Sequence, residues 1–563
     1  MEYLLGVLTA TLMSRLVNNN LFVFILSLII AIYLFKFKYN KREIKISTIF
    51  GFFLSIVINS YVNLNIFNST NIFRITTIMQ IIGLVPIITY TLLYFYKHSL
   101  NLKTKSYKFD QKLFKNSNYS IVKYFLLIFI SWLPIMISFY PGIFSYDAAG
   151  QVNQMALGKY TSHHPMLHTL FMDFPIKMAD IFCGSGSIGL FAHLIIQAII
   201  LALSLAYLID FLSKEKANFI LKLLTLLAFM FVPLFPVMAV TATKDVLFGA
   251  FYLILTINII KFIKYQDAYI KKPINILTLI IFGALSILFR NNTLYAFCLF
   301  LPFIIFYLRK YVNHIIIILG TTALIVFGTN QFIDYTFEPE EGSVREALSL
   351  PIQFMGRLYN TEELTKKEQI DIQRFYWNRR LKDYKEHISD PIKNTVYKSY
   401  IVSHMGQYVK LSFRLAVKYP TTLVDSFLLT NETYFNPLDR LPDQDIYRVL
   451  WEIRDTNYYD NYDIEFKFKD NKIAGFYYAL LESGEYNRFP IFKVIFNISL
   501  YIYILLFALY VFILKKDYKS ILGILPFITL FITVLLGPVA ILRYILPIVL
   551  SAPLLIHLIV KKK

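Results

Sequence analysis

The stretch IGLFAHLIIQAIILALSLAYLIDFL, from Ile188 to Leu212, followed at once by Ser213-Lys-Glu-Lys216, decides the fold. Its 25 residues, wound as a helix at about 1.5 Å each, reach across the roughly 30 Å hydrocarbon core of a bilayer. Runs of the same kind recur near residues 21–38, 46–62, 76–96, 121–140, 219–239, 245–264, 274–289, 293–309, 313–331, 492–514, 520–536 and 541–559, which with 188–212 makes thirteen expected spans. A shorter run, Leu4 to Val17, is interrupted by Arg15 and reads as an interfacial helix or an additional span. The expected fold is an all-α polytopic membrane protein. A chain of 563 residues that is 57% hydrophobic, with a mean hydropathy of +0.55, has more apolar surface than a water-soluble core can bury, so lipid is its main solvent.

The net charge of +20 fits either a nucleic-acid binder or a membrane protein with basic loops. Position decides between them. The cations gather in alternate loops: Lys36 to Lys45, Lys97 to Lys115, Lys214 and Lys216, Lys261 to Lys272, Arg309 and Lys310, Lys515 to Lys519, and Lys561 to Lys563. By the positive-inside rule these face the cytoplasm, the C-terminus included, and no nucleic-acid partner is expected. The other face carries the 63–75 loop, the loop 141–187 and the segment 331–490, which holds 25 of the 36 acidic residues against 21 basic ones. Four parts follow: additional N-terminal spans over 1–120, a membrane module over 121–331, an extracytoplasmic domain over 332–490, and C-terminal spans over 491–563. Helical patterns over Thr365–Tyr384 and Val402–Lys418, with breaks at Pro391, Pro420 and Pro437, predict a mostly helical outer domain. No fixed-period repeat is evident. The N-terminus lacks the pattern of a cleaved signal peptide, so Met1 onward reads as mature chain. Cys183 and Cys298 stand too far apart in kind, one in a polar loop and one in an apolar run, for a disulfide framework or a cysteine-rich metal site.

Residues able to do chemistry collect at the outer ends of the spans. In Phe139-Tyr-Pro-Gly-Ile-Phe-Ser-Tyr-Asp-Ala-Ala-Gly-Gln151, Pro141 and Gly142 stop a helix, and Asp147 follows at the membrane boundary. It reads either as the N-cap of a helix starting at Ala148 or as a general base or cation ligand. His163, His164 and His168 crowd the same loop; either a helix starts at Pro165 with His163 and His164 exposed before it, or the histidines are contacts for a cation, substrate phosphate or protons. A metal site would need further ligands, the nearest acids being Asp147 and Asp173, so a substrate contact is the preferred functional reading. Lys244, Arg290 and Arg543 stand against the charge bias of this face. Arg543, inside an apolar run, is suited to hold a phosphate bidentately, or to form an ion pair with Asp147 or Asp245 across the bundle. A lipid-linked phosphosugar fits the pattern, with its tail in the bilayer, its phosphate on the cations and its sugar toward the carboxylate.

The strings YPGIFSYDAAGQ, HHPMLHT, TATKDVLF, LFRNNTLYAF, PIQFMGR (Pro351 to Arg357) and LRYILP (Leu542 to Pro547) occur in an order that resembles a group of bacterial multi-pass proteins similar to GT-C glycosyltransferases. The resemblance runs from about residue 121 to the C-terminus. It implies a polyprenyl-phosphate-linked sugar as donor and a cell-envelope glycan, lipid or protein as acceptor, with Asp147 matching the acidic catalytic residue of the first outer loop and acting as base toward an acceptor hydroxyl. Lys244, Arg290, Arg543 and Tyr544 would bind the donor phosphate. Gln151, His163, His164, His168, Asp245, Asn291, Asn292, Gln353 and Arg357 are candidate substrate contacts. Near Asp147 there is no Asp-x-Asp and no paired Asp-Glu, which leaves a divalent cation as an option and no residue assigned as a metal ligand. Two other functions compete: a flippase or transporter of a lipid-linked glycan, which would show internal repetition of spans, and a polysaccharide polymerase or ligase.

Overall fold

The computed structural model describes residues 39–561, apart from 102–112, 115–116, 118, 145, 343, 377–380, 438–461, 463, 466–470 and 482–484. The expected span 21–38 and the stretch Leu4–Val17 lie outside the described residues. The rest is helical, with one two-stranded ladder of two residues per strand. In chain order the elements that carry the argument are α1 (Lys41–Phe67), α2 (Ile75–Asn101), α3 (Ser120–Ser138), β1 (Ile143–Phe144), α4 (Tyr146–Leu157), α5 (Met166–Cys183), α6 (Gly186–Lys214), α7 (Phe219–Phe231), α8 (Leu234–Ala239), β2 (Thr241–Ala242), α9 (Lys244–Tyr265), α10 (Pro273–Phe289), α11 (Asn292–Tyr307) and α12 (Val312–Phe337). Then follow α13 (Ser349–Thr361), α14 (Lys366–Gln373), α15 (Met405–Lys418), α16 (Pro420–Thr430), α17 (Ile498–Lys515), α18 (Tyr518–Val534) and α19 (Leu546–Val560).

Among the described residues, eight helices are long and apolar enough to cross a membrane: α1, α2, α3, α6, α9, α12 with its leading turn from Arg309, α17, and α19 with its leading turn from Leu542. The chain is a multi-pass membrane protein. Shorter apolar helices, α7, α10, α11 and α18, stand at four more of the expected positions. The run 219–239 is not one helix. It breaks at Val232-Pro233 because proline forces the preceding residue into extended backbone, and Val232 sits at φ −70°, ψ 122°. In the middle of the bundle α9 is buried along most of its length, packed by α6, α10, α18 and α19.

The segment after α12 is helical as expected, but its helices are shorter. Thr365 and Glu368 form a capping box that starts α14. The helix ends at Gln373 because the chain then pairs laterally: Tyr376 bridges Val396, and the Tyr397 amide donates to Phe375 O. Over 398–418 the helix is interrupted at His404, and Pro420 opens α16 where a proline costs no hydrogen bond. These helices enclose a core of their own around Ile352, Met355, Tyr376, Tyr408 and Leu415.

Candidate active site

The site begins with a turn. Gly142, at φ +128°, occupies a backbone region that side chains avoid, and it redirects the chain from α3 into β1. There Ile143 pairs with Thr241 and Phe144 with Ala242 in a parallel ladder. The ladder fixes two loops from different spans side by side, so the helices that start just beyond it, α4 and α9, present Asp147 and Lys244 to each other. Gln197, inside the apolar α6, holds the second loop from below: its amide donates to the carbonyls of Met238, Ala239 and Thr241 at 3.3, 3.2 and 2.8 Å. Thr243 caps α9, accepting from the Asp245 amide, and places Asp245 in the first turn.

Five charged side chains meet here in an unbroken series. Lys244 Nζ lies 2.7 Å from Asp147 Oδ2. Arg543 Nη1 lies 2.7 Å from the same oxygen and 3.3 Å from Asp245 Oδ2, while its Nη2 donates to Asp147 Oδ1 at 3.4 Å. Arg290 Nη1 donates to Asp245 Oδ1. Tyr544 lies against both guanidinium groups, its ring 4.5 Å from Arg290 Cζ and 5.3 Å from Arg543 Cζ, within cation–π range. Burial opposes the charged form of Asp147, but Arg543 and Lys244 outweigh it and hold the carboxyl well below the usual carboxylate range. Burial and the neighbouring Lys244 ammonium push the His164 imidazole down to about 3, so it is neutral. Its Nδ1, 3.2 Å from Lys244 Nζ, then accepts a hydrogen bond.

The expected residues sort into three places. Asp147, Lys244, Asp245, Arg290, Arg543, Tyr544 and His164 are together. His168 and Gln151 adjoin them: Gln151 Oε1 is 3.1 Å from His168 Nδ1, and its amide donates to Thr169 Oγ1 at 2.7 Å. Burial, with His193 and Lys244 nearby, holds His168 well below its ordinary value. His163 is exposed and faces Glu346 at 3.8 Å, while Asn291 is exposed and Asn292 half-buried at the turn between α10 and α11. Gln353 and Arg357 belong elsewhere. Gln353 donates to the Lys385 and Glu386 carbonyls, and Arg357 to Glu386 and to Asn68 O, with Asp425 at 3.6 Å. They look like site residues in sequence because a buried polar pair on one helix face is the mark of function and of docking alike. Here Arg357 fastens α13 to Asn68 at the end of α1, while Gln353 ties α13 to the Lys385–Glu386 backbone.

Asp147 is not the N-cap of a helix from Ala148: α4 starts at Tyr146, and the carboxylate goes to Lys244 and Arg543. Of the two readings of Arg543, the ion pair with Asp147 and Asp245 is the one formed. A divalent cation finds no fit here, since both carboxylates are taken up by basic side chains, and among the described residues no three His, Cys, Asp or Glu side chains are grouped to hold an ion. Sequence reasoning missed Gln197, and it placed Thr243 beside Lys244 and Asp245 without giving it the capping role. A glutamine inside an apolar run was the available signal for the first.

The match to a family model covers residues 158–563, well over half of the sequence. The chain belongs to DUF6020, a family of unknown function. The DUF6020 match includes Lys244, Asp245, Arg290 and Arg543 and begins after Asp147. No curated protein matches the chain, and no solved structure does.

Proposed function

We propose that this chain is a membrane glycosyltransferase of GT-C type that moves a sugar from a polyprenyl-phosphate donor to a cell-envelope acceptor at the outer face of the membrane. The observation that carries the reading is the cluster itself: three cations and two carboxylates at the ends of the spans, with one more positive than negative charge and its Lys244–Asp147–Arg543 end slightly open to solvent. A donor phosphate supplies the missing anion. It draws Arg543 and Lys244 away from Asp147, which then gains basicity where it is needed. The acceptor hydroxyl gives its proton to Asp147 as its oxygen bonds to the anomeric carbon. The bond from that carbon to the phosphate oxygen breaks, and its electron pair leaves on the phosphate, held by Arg543 and Lys244.

The lysine distribution supports the orientation: basic loops and C-terminus inside, cluster and segment 332–490 outside. The shorter helices α7, α10 and α11 act as the remaining spans of the module and α18 as a C-terminal span, and the segment above them selects the acceptor. The test is transfer from radiolabelled polyprenyl-phosphate hexose to envelope-derived acceptors by the purified protein. Wild type should transfer the sugar, and Asp147→Asn and Arg543→Ala should each abolish that transfer. Transfer unchanged by both would refute the mechanism, and labelled lipid crossing vesicles without transfer would replace it with a flippase.

A further inference from the structure

Helix α15 has three faces. Tyr408, Leu411 and Leu415 point into the core beside α13 and α14. Gln407, Lys410, Arg414 and Lys418 form a polar arc, in which Arg414 binds Asp371 at 2.8 Å and Lys418 binds Glu368 at 2.7 Å. Between these arcs, Val409, Phe413 and Val417 lie at intervals of four residues and so share one face. All three are exposed, Phe413 to 72%, and nothing covers the position of Gly406 one turn before them. Of the large apolar side chains left exposed among the described residues between 338 and 437, four belong to this stripe and to Val402 just ahead of it; the others, Val344, Ile370 and Tyr397, are scattered.

The place of α15 in the fold says what covers the stripe. Directly after it, α16 is tied to a membrane span: Tyr61 of α1 donates to Leu428 O at 2.9 Å, and Thr70, in the turn beyond α1, donates to Asp425 Oδ1 through its amide and hydroxyl at 2.9 and 2.6 Å. With 27 residues, α1 is about 40 Å long and outreaches the roughly 30 Å hydrocarbon core, so its last turn and the turn after it lie at headgroup level. Asp425 is only about 8 Å along α16 from Pro420. The stripe is thus next to the lipid boundary, the level at which Phe67, at the end of α1, and Phe73, in the turn after it, are also exposed.

We infer that α15 is an interfacial helix, with Val409, Phe413 and Val417 set in the boundary between headgroups and acyl chains of the membrane that α1 crosses, and with Lys410 reaching lipid phosphates. It holds the helical segment against the bilayer beside α1. The occupant of the stripe is lipid, and neither a second copy nor a soluble partner is required.

The experiment uses the full chain with Cys183→Ser and Cys298→Ser, each variant carrying one new cysteine labelled with an environment-sensitive fluorophore: Phe413→Cys, Val409→Cys, or Gln407→Cys on the polar arc. The probe is a nanodisc of phosphatidylcholine and phosphatidylglycerol, with or without lipids spin-labelled near the top of the acyl chain. Labels at 409 and 413 should emit to the blue of the label at 407 and lose intensity to the spin-labelled lipid. Emission at 413 equal to that at 407, quenched only by a water-soluble agent, would overturn the inference. So would a blue-shifted label indifferent to spin-labelled lipid, because a protein surface would then cover the stripe. Phe413 supports no core contact, and matching circular dichroism and elution of the variants keep the comparison one of environment.

Discussion

Replacing Asp245 with Asn separates two halves of the charge cluster that differ in burial. The Asp245 side chain has no exposed surface, and that of its partner Arg290 has 8%. The carboxylate serves two guanidinium groups, one through each oxygen. Removing its charge strands Arg290 against the rings of Tyr544 and Phe248. Deleting one partner of a buried ion pair costs about 3–5 kcal/mol. Asp147 is placed differently: its side chain and those of Lys244 and Arg543 keep between 11 and 13% exposure. Arg543 also keeps Asp245 after Asp147→Asn, so water and the second carboxylate absorb part of the loss, and about 1–3 kcal/mol is expected. Against a total stability of roughly 5–15 kcal/mol the difference is large. Denaturant unfolding of purified protein in detergent, followed by circular dichroism, measures it. A second arm, Asp245→Asn with Arg290→Met, removes both charges and should recover part of the loss. Equal stability of Asp147→Asn and Asp245→Asn, with no recovery in the double variant, would refute the account of a graded, shared network.

Three further outcomes follow from the same geometry. His164 and His168 take up protons at lower pH in the folded protein than the pKa of about 6.5 of an unfolded imidazole. The unfolded chain therefore binds more protons below about pH 6.5, and stability should fall as pH drops through that value toward 4, while Asp147 contributes no slope until still lower pH. A variant with His164→Gln and His168→Gln should show a reduced slope in unfolding measured across that range, and an unchanged slope would count against it. Gln197→Leu leaves three loop carbonyls without their donor, so the β1–β2 ladder should loosen at a cost of about 1–3 kcal/mol, read as faster amide exchange at Ile143 and Thr241. Arg357→Ala removes charge-assisted bonds to Asn68 and Glu386, worth on the order of 2–3 kcal/mol together, and should raise the rate at which limited proteolysis cuts between α13 and α16.

Much of the fold was legible because lipid imposes one rule on every span: a long apolar run that meets its own hydrogen bonds as a helix. The positions of α1, α2, α3, α6, α9, α12, α17 and α19 follow from that rule alone. Helix ends follow more local rules, and there the reading was uneven. Pro233 carried the signal that breaks 219–239, yet mean hydropathy is blind to it. At the site, the residue types were readable and their pairing was not. Asp147, Lys244, Arg290 and Arg543 are each unusual where they stand, but nothing in their sequence spacing says that Arg543 would reach an aspartate 396 positions away. The ladder that brings them together has only two residues on each strand, too short for any alternation to register. Gln353 and Arg357 failed for the reverse reason. Their residue types suit a site, and only the three-dimensional contacts reveal that Arg357 joins α13 to the turn after α1 and that Gln353 holds the Lys385–Glu386 backbone.

The order of charges across the cluster, Lys244, Asp147, Arg543, Asp245, Arg290, bears on which ligand can enter it. Cations occupy both ends, so each carboxylate is held between two of them, and a second cation entering would meet repulsion before it met a free oxygen. An anion meets the opposite field. It enters at the end that retains solvent access, where Lys244 and Arg543 share one carboxylate, and can take both from it without stripping Arg543 of its other partner, Asp245. Arg290 need not move at all. In the glycosyl transfer we propose, the sealed Asp245–Arg290 half would keep the site assembled while the open half rearranges, so loss of Asp245 should register as instability and loss of Asp147 as loss of transfer.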